Sequence, residues 1–254
     1  MEVIQNLPYI LAVIFFLVAF IYSSVGMGGG SSYTALLAIF GVSTLAIPMI
    51  SLTLNLFVTT VGSYNFIRNK HAKLRLILPF VISSIPMAYI GGALKLPKEI
   101  FYWVLLISLI FVAARIYLWQ NTSLKININQ QQKIIIALLA GSILGLLAGI
   151  VGIGGGIYLV PLIIVLGLGN EKEAAACGVI FTLLNSGSGL ISRIQYNAID
   201  ITNYLPLVVA VLFGGVLGSY MGSFKFSAKR MEKILGFIII VAIILLLKKL
   251  LVDY

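Results

Sequence analysis

The chain has 254 residues, of which 61% are hydrophobic and 9% charged, with a mean hydropathy of +1.12. Water-soluble domains hold roughly 45–50% apolar and about 25% charged residues, so a soluble globule is excluded and the solvent is lipid. The formal net charge of +10 does not mark a nucleic-acid partner, because the basic residues cluster in short connections between apolar stretches, as cytoplasmic loops of membrane proteins do.

The N-terminus, Met-Glu-Val-Ile-Gln-Asn, lacks the basic region of a cleavable signal peptide, so the first apolar segment, about 6–25, is expected to be retained. It runs into Val-Gly-Met-Gly-Gly-Gly at 25–30. A helix that crosses lipid has no intrinsic use for such a run, since glycine interrupts helices and exposes backbone. The apolar piece at 30–40 is marginal as a span of its own, at ~1.5 Å per residue. It is expected to form the second arm of a broken or re-entrant helix. The next span, 45–67, carries Thr53, Asn55, Thr59 and Thr60. A loop around 68–75 then holds four Lys/Arg residues, with His71 read as a solvated neighbour. Spans at 75–94 and 99–119 follow, separated by a loop at 95–98 with two lysines.

The polar stretch from Asn121 to Lys133 reads as a short aqueous connector. Beyond it the pattern returns: a span at 133–150, then Val-Gly-Ile-Gly-Gly-Gly at 151–156, which lies 126 residues after its first copy. A short apolar piece at 156–168 succeeds it. A span at 175–195 carries Thr182, Asn185, Ser186 and Ser188, and the last spans are 201–223 and 232–252. Pro79 and Pro206, and Gly91 and Gly218, repeat at a spacing of 127. One membrane domain is therefore expected over 1–254, with repeat one at about 1–120, a linker at 121–132 and repeat two at about 133–254. Gly141, Gly145 and Gly149 form one small-residue stripe and Gly214, Gly218 and Gly222 another, both read as close helix packing. Trp103, Trp119, Tyr9 and Tyr117 stand near helix ends as interfacial anchors.

Loop charge orients the halves. The loop at 68–75 is basic while its counterpart at 196–200 holds only Asp200. Conversely, the two lysines at 95–98 correspond to Lys225, Lys229, Arg230 and Lys233. The positive-inside rule places 68–75, the linker and 225–233 in the cytoplasm, so equivalent loops face opposite sides. That predicts an all-α membrane protein of two inverted repeats, with about 8–10 transmembrane or re-entrant helices. Three crossings plus a re-entrant hairpin per half, or five crossings, both satisfy it. Lys248 and Lys249 would lie outside, against the rule.

Nothing resembles a site for bond making, and the reading is not an enzyme. Carboxylate pairs, His/Cys clusters and a Ser-His-Asp set are missing from the spans, and the single Cys177 allows neither an intrachain disulfide nor a multi-Cys metal site. No cofactor is expected. Arg115 and Arg193 lie near helix ends, where long side chains can snorkel. The glycine runs are not dinucleotide fingerprints, because Ser31 and Ile157 stand where the last glycine belongs.

Interrupted backbone within a bilayer is tolerated where protein buries it or where it lines a watery cavity, and corresponding interruptions in two halves point to a transporter's binding site. Free N–H groups at the helix starts after Gly30 and Gly156 would carry positive dipole ends, each worth ~0.3–1 kcal/mol toward an anion. The expected substrate site is Gly28, Gly29, Gly30, Ser31 and Ser32 with Asn55, facing Gly154, Gly155 and Gly156 with Asn185 and Ser186. Asn55 and Asn185 stand 25 and 29 residues after their last glycine. Interhelical hydrogen bonding is the other reading of both amides. Back-bonding to their own helices is expected of the scattered Ser and Thr.

The twinned Gly-x-Gly-Gly-Gly motifs, Pro161 after the second copy, the Asn-containing helix after each copy and the basic loop closing that helix in repeat one resemble the TauE/SafE sulfite exporter family, also called the toluene sulfonate uptake permeases. The resemblance covers essentially the whole chain. It implies a multi-pass carrier of the cytoplasmic membrane moving a small sulfur-containing anion such as sulfite or an organosulfonate. Coupling to H⁺ or Na⁺ and a homo-oligomeric state both fit it. Repeat one departs from repeat two in continuing Ser-Ser-Tyr-Thr, with its next proline only at Pro48, so the site need not be symmetric. A membrane scaffold or assembly subunit, and a passive anion channel, are the alternative readings.

Overall fold

The computed structural model describes residues 2–24, 27–118, 129–196, 204–224 and 228–252. The helices are α1 (Glu2–Ser24), α2 (Gly30–Ile39), α3 (Ala46–Arg68), α4 (Leu74–Ala93), α5 (Lys98–Leu118), α6 (Gln130–Val151), α7 (Gly156–Val165), α8 (Glu171–Tyr196), α9 (Leu205–Phe224) and α10 (Ala228–Val252). Most of the linker, Trp119, the loop around Asp200, Gly26 and Lys225 lie outside the described residues.

Local chemistry sets the helix ends. α6 opens on a reciprocal cap: Gln132 N–H donates to Asn129 Oδ1 at 2.8 Å, and Asn129 N–H donates to Gln132 Oε1 at 3.0 Å. α8 repeats the device, with Glu173 N–H on Asn170 Oδ1 at 3.0 Å and Asn170 N–H on Glu173 Oε2 at 3.2 Å. α6 closes at Gly152, whose φ of +85° suits only glycine without strain. Lys249 resolves its own conflict with the loop-charge rule. Its ammonium donates to the Ala38 carbonyl in the last turn of α2 at 2.8 Å and lies over the Tyr102 ring, so it serves as a helix C-cap rather than a loop charge.

Among the described residues, six helices are long and apolar enough to cross a membrane: α3, α4, α5, α6, α8 and the 233–251 part of α10. α2 and α7 have ten residues each, about 15 Å at ~1.5 Å per residue, half of a ~30 Å hydrocarbon core. Both are enclosed at their starts, with Gly30–Ala35 and Gly156–Pro161 wholly buried, so protein covers the interrupted backbone, as a bilayer requires. α3 and α8 form the centre, 67% and 56% buried over their apolar windows against 33% for α10. The perimeter carries Leu17, Ile82, Ile107, Leu139, Phe213 and Ile244, each more than half exposed. An apolar perimeter of that extent fits lipid as its solvent. This is a multi-pass membrane protein.

The most extensive helix pairs are α1 with α9 and α4 with α6. Both glycine stripes make these contacts. Gly141, Gly145 and Gly149 bring α6 onto the carbonyls of Phe80, Ser84 and Ala88 in α4, while Gly214 and Gly218 bring α9 onto those of Phe16 and Phe20 in α1. The contacts recur between halves. Gly91 seats on Leu146 as Gly218 seats on Phe20, and a Cβ on Gly62 would stand 3.0 Å from Val179 as one on Gly189 would stand 3.2 Å from Leu52. Each partner exchange keeps a spacing of 126 or 127.

Candidate functional site

The two copies of the glycine motif adopt different backbones. In the second, Gly152, Gly154 and Gly155 all have φ between +83° and +85°, the left-handed region that costs other residues about 1–2 kcal/mol. In the first, Gly29 has φ −83°, and space is the constraint instead. A Cβ on Gly30 would overlap the Ile153 carbonyl and the Asn55 amide. One loop needs glycine for its dihedrals and the other for close approach.

Asn55 joins them. From α3, fully buried, its Nδ2 donates to the carbonyls of Gly152 at 3.4 Å and Ile153 at 3.3 Å. Ser51, one turn earlier, donates to Gly152 O at 2.9 Å and Gly30 O at 3.3 Å. Two acceptors on one side fix the amide's orientation. Asn55 Oδ1 therefore points the other way, 3.1 Å from where a Cβ of Gly28 would be, and is buried without a donor.

Thr182 of α8 completes the arrangement. Its hydroxyl accepts from Gly156 N–H at 3.1 Å and donates to Gly178 O at 2.9 Å, so this helix-start N–H is already engaged within the protein. Cβ atoms on Gly28 and Gly154 would both meet Thr182 and Asn55, and each would also meet one further residue, Thr59 or Ser186. The partner of Asn55 in the second half is thus Thr182, and the partner of Thr59 is Ser186. The spacing of 127 visible at Pro79/Pro206 would have found both; counting from the last glycine selected Asn185. Asn185 donates to Phe181 O of its own helix at 2.9 Å, leaving a buried Oδ1 without a donor.

The remaining expected residues divide by neighbour. Ser31 and Ser32 are buried and share the Tyr22 hydroxyl, at 2.6 and 2.9 Å. Gly29 backs onto the Tyr33 ring and Gly155 onto that of Phe181, so both form the outer wall of their loops. Back-bonding holds for Thr53, Thr59 and Thr60, which donate to Met49, Asn55 and Leu56 carbonyls at 2.8, 2.6 and 2.6 Å. Ser188 instead reaches Ile85 O of α4, also at 2.6 Å.

A narrow cleft leads from Thr59 toward the basic end of α3, lined among others by Ser23, Val58, Gly62, Asn65 and Phe66. Arg193 stands at the position that matches Phe66. Read from sequence as a snorkelling residue, it is 3% exposed, and its Nη2 donates to the carbonyls of Gly149 and Ile150 at 2.8 Å each. These carbonyls belong to the last turn of α6, which the glycine break leaves without helical partners. The bonds hold the guanidinium inward. Arg115 is also buried, at 8% exposure, so neither arginine reaches outward as expected.

Comparison with known proteins agrees with this architecture. The family model described as "Sulfite exporter TauE/SafE" matches residues 11–246. The "Probable membrane transporter protein y4hK" of Sinorhizobium fredii is 34% identical over 238 residues, covering 91% of this chain and 95% of that protein. The "Probable membrane transporter protein MJ0441" of Methanocaldococcus jannaschii is 27% identical, covering 94% of each. No solved structure matches the chain. With its paired glycine breaks and apolar perimeter, the chain belongs to the TauE/SafE sulfite exporter family of membrane transporters.

Proposed function

We propose that this protein is a secondary transporter that moves a small sulfur-containing anion, sulfite or an organosulfonate, across the cytoplasmic membrane by alternating access. The observation that carries this reading is the meeting of two interrupted helices at Asn55 and Thr182, each side chain touching both glycine loops. Polar groups gathered at a break between two halves are what a transporter needs and a scaffold does not. The cleft that ends at Thr59 supplies access from one side. The site is built from amide and hydroxyl groups and two glycine loops, which bind weakly enough to release a cargo. The exchange of equivalent contacts between halves supports a two-fold repeat, and the loop charges support its inversion.

Purified protein in proteoliposomes, given sulfite, methanesulfonate, acetate and sulfate under imposed pH and Na⁺ gradients, tests this. Saturable sulfite or methanesulfonate flux driven by one gradient is expected. Flux that fails to saturate and ignores both gradients indicates a channel, and no flux of any anion indicates a scaffold. Gly29→Leu and Gly155→Leu should abolish flux while membrane insertion persists. Unchanged flux in both variants would remove the site assignment.

A further inference from the structure

Several buried polar atoms on α8, and one on the neighbouring α4, are left unsatisfied. Ser84 Oγ on α4, and Asn185 Oδ1, Ser186 Oγ, Ser192 Oγ and Arg193 Nε on α8, are buried with no partner among the described residues. Packed cores pair nearly all such atoms, and unpaired ones are costly. The α8 groups are contiguous: Thr182, Ser186, Gly189 and Arg193 follow one helical face. Ser186 Oγ stands 3.2 Å from the Cβ position of Gly154, and a Cβ on Gly189 would lie 3.4 Å from Gly149 Cα. Arg193 grips the two carbonyls just before Gly152. The polar run therefore borders the glycine loop from Gly149 to Gly154.

The first half shows what this space is. At the repeat spacing of 127, Asn185, Ser186, Ser192 and Arg193 correspond to Val58, Thr59, Asn65 and Phe66. All four of those residues line the open cleft. The second half thus places four polar residues at the positions of these cleft-lining residues, two of which, Val58 and Phe66, are apolar in the first half. It also holds a charge. The one ion pair among the described residues joins Lys73 to Glu173, so Arg193 has no carboxylate partner there. A buried charge within a membrane marks a substrate or ion pathway by default, and a guanidinium suits bidentate oxyanions.

We infer that Ser186, Ser192 and Arg193 form an anion-selecting chamber beside the second glycine loop, in which Arg193 meets the negative charge of the cargo. This rests on the transport reading above. Capping α6 accounts for Nη2 alone; it leaves Nε and both hydroxyls without a role. In the chamber these groups are the donors that a sulfite or sulfonate group's oxygens require.

The test uses full-length protein in proteoliposomes with sulfite and methanesulfonate as probes, comparing wild type with Arg193→Lys, Arg193→Gln and the double variant Ser186→Ala/Ser192→Ala. Loss of a charged hydrogen bond predicts a roughly 10–100-fold rise in KM for Arg193→Gln. Arg193→Lys, which keeps the charge, should recover part of that loss. The double variant, which leaves the α6 cap intact, should raise KM with kcat retained. A folded Arg193→Gln protein with wild-type KM overturns the chamber and leaves transport standing. If Arg193→Gln does not fold, the double variant decides: a raised KM supports the chamber and an unchanged KM overturns it. Wild-type protein that moves neither anion overturns both readings.

Discussion

At Gly154 a methyl group faces two penalties. Its φ of +83° is left-handed, and the added Cβ would stand 2.5 Å from Thr182 Cγ2. Gly154→Ala should lower stability by at least about 1–2 kcal/mol from the backbone alone, read as a lower midpoint of thermal unfolding in detergent. Gly28 differs, because its Cβ would meet neighbours at 3.0–3.3 Å and no left-handed φ is involved. Gly28→Ala should keep the unfolding midpoint near wild type while narrowing the site, so that flux falls without loss of folded protein. Asn55→Leu keeps the branched shape but strips the Ile153 carbonyl of its donor, while Gly152 O keeps Ser51. Leaving a buried carbonyl unpaired costs about 1–3 kcal/mol, and flux should be lost together with stability. A flux-competent, fully stable Asn55→Leu protein would show that the amide holds neither loop nor cargo. Asn55 was legible from sequence because an amide in an apolar helix needs a partner. Thr182 is legible only through the repeat spacing of 127, because a threonine in a helix usually bonds its own backbone, and this one does so while also accepting from Gly156.

Helix pairs show how small residues set geometry. α4 and α6 touch through Gly141, Gly145 and Gly149, whose missing side chains let carbonyls of the facing helix sit against the backbone. Gly145→Ile must push Ser84 away, and overpacking of this kind costs about 1–3 kcal/mol. The same substitution at Gly218, against Phe20, should cost a similar amount if the two contacts are equivalent. Thermal unfolding of both variants checks this, and a large effect at one site only would break the equivalence. At the end of α2, Lys249→Met removes the charge and its bond to Ala38 O. Helix-end charges contribute about 0.3–1 kcal/mol, so a small destabilisation with flux retained is expected. The expected spans lie close to the observed helices, as 45–67 does to Ala46–Arg68 and 75–94 to Leu74–Ala93. Apolar runs and loop charges are local signals, which is why these boundaries could be read directly.

For the whole molecule, the orientation of the halves is the consequential prediction. Cys177 is buried, so a Cys177→Ser background permits single reporter cysteines. A cysteine replacing Lys70 should resist a membrane-impermeant maleimide in intact cells, and one replacing Pro97 should react. Labelling of the Lys70 position from outside would overturn the assigned orientation. The sequence by itself determined the solvent, the helices, the duplicated break and the family, since hydropathy and a repeated glycine motif are written along the chain. Only the tertiary structure decided which side chains meet at the breaks. It matched Asn55 with Thr182 rather than Asn185, engaged Ser31 and Ser32 with Tyr22, and turned Arg193 inward. The physical reason is that a helix side chain's partner depends on which face the neighbouring helix covers. That face is fixed by contacts more than a hundred residues apart, such as Gly189 against Leu52, and not by any pattern within the helix itself.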